Sequence, residues 1–83
     1  MNHHEALGRY IELKEASDAA QVRRQALLNS LARAADHLNV DRTASFDFAA
    51  ARALLDGAEF AQNEAATLEG PLRAAAEACG KKV

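Results

Sequence analysis

The chain has 83 residues, 49% of them hydrophobic but with only four aromatic side chains, and a net charge of -2 with a pI near 5.9. One domain is the most this length supports, close to the lower limit at which a single core holds without a disulfide, metal or partner subunit. The acidic balance leaves no basic field for a phosphate backbone and disfavours nucleic acid as a partner. One cysteine excludes an internal disulfide.

The opening Asn2-His3-His4-Glu5 does not read as a signal peptide, and no apolar run reaches the length of a membrane span. The expectation is a cytoplasmic protein. Asn2 is placed to cap a helix, with Glu5 three residues on and Arg9 four beyond that. From there Ala6, Tyr10, Leu13, Ser17, Ala20, Arg24, Leu27, Leu31, Ala34 and Leu38 alternate at steps of four and three, the seam of an amphipathic helix over about 3–38. Ser17 and Arg24 weaken the middle of that seam, and Gly8 weakens its start.

Asn39 to Ser45 interrupts the pattern with turn formers, giving a loop over 39–45. Ser45 is the expected cap of the next helix, helped by Asp47 in its first turn. That helix is predicted over about 46–79 and to end at Gly80, with Lys81 and Lys82 near its negative pole. Its seam is Ala51, Leu54, Ala58, Ala61, Ala65, Leu68, Leu72, Ala75 and Cys79, mostly small residues suited to close helix contact. Gly70-Pro71 conflicts with a straight helix. The heptad phase continues across Pro71, which favours a kink over a break and a short third helix.

Two long helices joined by a short loop run antiparallel, so the expected fold is all-α, a long helical hairpin. Its register sets Leu27 opposite Ala58, Arg24 opposite Ala61, Ala20 opposite Ala65 and Ala6 opposite Cys79, with large residues mostly against small ones. Apolar surface is left over: Phe46, Ala53 and Phe60 recur every seven residues on the far side of the second helix. Phe48 and Leu55 flank the seam, and Leu7, Ile11, Leu28, Ala32 and Ala35 form a surplus on the first. Self-association is expected, most simply two hairpins forming a four-helix bundle. The competing use of that surface is a different protein partner.

Candidate sites follow from this layout. For a protein partner they are Phe46 and Phe60 with the acidic residues Asp56, Glu59 and Glu64; Glu69 continues the run. Arg9, Tyr10, Lys14 and Arg23 form an alternative site for a nucleotide or another anion, an aromatic face stacking a base while cations hold phosphate. Against this, Tyr10 belongs to the seam, and Arg23-Arg24 fall level with Glu59 and Glu64 for cross-helix ion pairs. A second alternative is a metal held by His3, His4 and Cys79 at the joined chain ends, although adjacent histidines on a helix point about 100° apart.

His37 beside Asp36 and Asp41 has no nucleophile arranged with it and reads as a favourable charge at a helix end. There is no phosphate loop, paired-cysteine motif or serine elbow. No cofactor is implied, and a hairpin offers no deep pocket for an enzyme. In general appearance the sequence looks like many small accessory proteins of bacteria and their phages, some of which bind and inhibit host proteins. That likeness covers the whole chain and rests on no motif, and it implies a non-enzymatic adaptor or inhibitor.

Overall fold

The computed structural model describes residues 3–81, and two helices account for most of them: α1 (His3–Val40) and α2 (Phe48–Ala78). They pack against each other as an antiparallel hairpin, 62 Å long and 18 by 14 Å across. Its radius of gyration is 18.2 Å, where a compact chain of this length would have about 12 Å. The molecule is a rod, with its core drawn out into one seam.

That seam is the small-residue stripe. Ala51, Ala58, Ala61, Ala75 and Cys79 are buried from α2, and Ala6, Ser17 and Ala20 from α1. Ala76 is buried beside them, whereas Ala34, expected in the seam of α1, is exposed. Among the described residues no large side chain is fully buried. The reason is geometric: alanines on facing helices let the backbones approach, and the leucines between them project to the sides of the contact. At Gly57 the approach is close: a Cβ there would stand 3.0 Å from Leu27 Cδ1. Leu27 thus packs one residue from its expected partner Ala58. Arg24 likewise reaches Gln62, next to Ala61, so the helices hold the expected register.

Ser17 is the one buried polar residue among those described, and its hydroxyl accepts a hydrogen bond from Gln21 Nε2 at 3.2 Å. A polar group in the seam is tolerated because its partner comes from the next turn of the same helix.

α1 runs two residues past the expected end, and the connection is 41–47. Asp41 organises it: its Oδ1 accepts from the Thr43 N–H at 3.0 Å and from the Thr43 hydroxyl at 2.7 Å. The Asp41 carbonyl accepts from the Ala44 N–H at 3.3 Å. The two bonds from Thr43, the hydroxyl first and then the N–H, hold the Asp41 carboxyl below its ordinary value of 3.8.

α2 starts at Phe48 because Asp47, rather than Ser45, is its cap. The Ala50 N–H donates to Asp47 Oδ1 at 2.9 Å, satisfying an amide the first turn would leave open. Phe46 then stands just outside the helix and lines the same groove as Ala51, as in a hydrophobic staple.

α2 continues through Pro71 to Ala78 without reversing. It ends in a Schellman motif: the Gly80 N–H donates to the Glu77 carbonyl at 3.3 Å, and the Lys81 N–H to that of Ala76 at 2.7 Å. Gly80 has φ +77, which glycine adopts without penalty. Asn2 and Lys82, expected near the chain ends of these helices, lie outside the described residues. No helix among the described residues is long and apolar enough to cross a membrane.

Candidate interaction surface

Several large apolar side chains remain on the outside of the hairpin. Phe48 is 64% exposed, Leu55 48%, Leu28 36%, Phe60 68%, Val22 68% and Ile11 47%. They divide by helix position. Leu28 on α1 and Phe48 and Leu55 on α2 sit one step from the seam on the same edge, because corresponding heptad positions face each other across an antiparallel pair. Leu28 and Leu55 line a groove of about 280 Å³ with Arg24, Asp56, Glu59 and Gln62. A second groove, of about 420 Å³, continues from it past Gln21 to Glu69 and Leu72 and shares Arg24 and Gln62 with it. The two make one trough along this edge. At its middle Arg24 Nη1 donates to Gln62 Oε1 at 3.2 Å.

Phe60 projects elsewhere. It borders Asn63, Glu64 and Thr67 on the other flank of α2. Phe46, expected to continue its stripe, is half-buried outside the helix and meets Phe48 edge to face at 5.0 Å. The Phe46, Ala53, Phe60 row is therefore not a continuous helical face, since the capping residue Asp47 separates Phe46 from the helix.

The acidic run is also distributed. Asp56 and Glu59 border the trough, but Glu64 lies across the seam from them and pairs with Arg23 at 3.0 Å. Glu69 pairs with Arg73 at 3.3 Å. Both pairs are half or more exposed on at least one side, so each contributes at most about 1 kcal/mol. Asp56 and Glu59 take part in no ion pair among the described residues.

Of the alternative ligand residues, Arg9, Tyr10 and Lys14 stand on consecutive turns of α1, with Arg23 farther along the same helix. Lys14 pairs with Asp18 at 3.2 Å along its own helix, Arg23 is held by Glu64, Tyr10 is half-buried in the seam and Arg9 is exposed. At the chain ends His3 and His4 are exposed, their rings edge to face at 6.2 Å. Cys79 is buried, its thiol directed to the Ala76 carbonyl at 3.6 Å. Among the described residues, no three His, Cys, Asp or Glu side chains are grouped as a metal ion would require. His37 is exposed at the end of α1, where its carbonyl accepts from the Asp41 N–H at 3.1 Å.

The geometry defines an antiparallel α-helical hairpin with a small-residue seam and, along one edge, a trough of mixed apolar and polar lining. No protein-family model, curated protein or solved structure matches the chain. The trough edge was only partly legible in the sequence. Phe48, Leu55 and Leu28 are evident as surplus apolar residues, but their convergence requires the pairing of like heptad positions on both helices.

Proposed function

We propose that this chain is a non-enzymatic protein-interaction module, a small helical adaptor or inhibitor that works by presenting its outer faces to other polypeptides. The observation that carries this reading is the exposure of Phe48, Leu55 and Phe60 on a rod whose own seam buries only small residues. Large apolar side chains left in water at this density are characteristic of contact surfaces. Each gains about 1.5 to 3 kcal/mol when fully covered. Phenylalanine brings that gain with few rotamers to freeze, which suits it to anchor a contact. The two grooves of the trough are shallow and polar at their rims.

The test is photo-cross-linking in cells that make the protein, with the photoreactive residue placed at Phe48, at Phe60 and, as a polar control, at Gln25. Discrete protein adducts from Phe48 or Phe60, absent from Gln25, are expected. Both apolar positions giving no more adduct than Gln25 would overturn the reading.

A further inference from the structure

We infer that the trough edge bearing Leu28, Phe48 and Leu55 is the contact between two copies of this chain. This deepens the interaction reading above by naming the occupant of one of its surfaces. Three observations converge on a second copy.

The first is area. The hairpin exposes 6055 Å², whereas a compact protein of 8.9 kDa exposes roughly 4,800 Å². The excess, roughly 1,200 Å², exceeds the 800 Å² or so that each partner buries in a standard stable interface.

The second is charge. A two-fold contact sets one patch against itself, so the patch must carry both signs. Arg24 lies in the trough with Asp56 and Glu59, and Arg52 stands on α2 seven residues before Glu59. Two cations and two carboxylates balance at this end, and the third carboxylate of the trough, Glu69, is already paired with Arg73. Within one hairpin Arg24 is bonded to the neutral Gln62, and Asp56 and Glu59 take part in no ion pair among the described residues. A strongly basic partner would be repelled by the two arginines and an acidic one by the carboxylates, whereas a second copy meets each with its opposite.

The third is shape. The trough runs along the hairpin from Leu28 to Ser17, eleven residues of helix or about 16 Å. Phe48 and Leu55 border its loop end as projecting side chains. A helical edge with a groove and projecting leucines is complementary to another of its kind, as in four-helix bundles.

The experiment is sedimentation equilibrium of the full chain, from low to high micromolar, alongside Leu55→Glu, Leu28→Gln and, as controls on other faces, Val22→Glu and Phe60→Glu. Far-UV circular dichroism of each sample verifies that the helices persist. The wild type is expected at twice the 8.9 kDa chain mass. Leu55→Glu and Leu28→Gln should each raise the dissociation constant by roughly tenfold or more, as loss of a central apolar anchor does. The two controls should leave it unchanged.

A wild-type monomer throughout the range overturns the inference, as does a dimer indifferent to Leu55→Glu and Leu28→Gln. Should Leu55→Glu unfold the chain, Leu28→Gln at a less exposed but milder position decides between these outcomes. A monomer that still gives cross-links to a different protein from Phe48 or Phe60 would refute the second copy while leaving the interaction module standing.

Discussion

Replacing Pro71 by alanine should stabilise the protein, and the structure sets the scale. Pro71 lies inside α2, twenty-three residues past its start and seven before its end. An interior proline costs about 3 kcal/mol relative to alanine, partly because it has no N–H to give the carbonyl four residues back, here that of Thr67. Both Pro71 and Thr67 are exposed, so water serves that carbonyl and the recoverable stability falls to about 1 to 3 kcal/mol. For a domain of this size that raises Tm by roughly 4 to 8 °C per kcal/mol. The assay is thermal and urea unfolding by circular dichroism at one fixed chain concentration, because association would otherwise shift the midpoint by mass action. A neutral or destabilising Pro71→Ala would refute the reasoning, showing that α2 needs the proline's local geometry to keep its seam on α1.

Gly70 supplies an internal control. A residue before proline is disfavoured in helical conformation because its Cβ crowds the proline ring, and glycine has none. Beyond its chain neighbours, a Cβ at Gly70 would meet nothing within 4 Å. Gly70→Ala should therefore bring little or no stability alone, but about 1 kcal/mol in the Pro71→Ala background. Equal effects in both backgrounds would show that Gly70 is not relieving the proline.

Three further outcomes follow. Asp47→Ala should cost about 1 kcal/mol by removing the acceptor of the Ala50 N–H, and Asp47→Asn should recover most of it; both are read from urea midpoints. Ala61→Leu, at a position with no solvent exposure, should cost about 1 to 3 kcal/mol by forcing the helices apart, whereas Ala53→Leu on the exposed side should be nearly neutral. An NMR titration should place the Asp41 carboxyl below 3.8, and Thr43→Val should move it back upward by deleting the hydroxyl bond. Because the folded value is depressed, what Asp41 contributes to loop stability is present above the unfolded value and lost as pH falls through the folded one.

The hairpin is readable from sequence because its two seams keep a three-four spacing through the length of both helices, and because turn formers interrupt them only once. The start of α2 is less so. Ser45 and Asp47 are both good caps, and what favours Asp47 is that it sets Phe46 and Ala51 at the spacing of a hydrophobic staple, where both line one groove. The acidic run shows a different difficulty. From Glu59 to Glu64 and again to Glu69 the chain advances five residues, and each such step turns a helix by about 140°. The carboxylates are close in sequence but face different ways, so one reaches Arg23 while another pairs with Arg73. Spacing, rather than local density of charge, decides whether a charged run forms a face.

The close seam and the exposed apolar edge have one physical origin. A helix of fixed circumference that gives its inner positions to Ala51, Ala58, Ala61 and Ala75 can place Phe48, Leu55 and Phe60 only at its flanks. Close approach at Gly57 and the seam alanines is thereby gained while little large apolar surface is withdrawn from water. A two-helix protein with leucines throughout its seam would have the opposite distribution: a thicker core, wider-set helices and polar flanks. The inferred second copy would couple the stability of the fold to the occupancy of its edge, since covering Leu28 and Leu55 would supply the large-residue burial that the seam omits. Substitutions along the trough edge should accordingly weaken folding and association together, whereas the same substitutions at Val22 should touch neither.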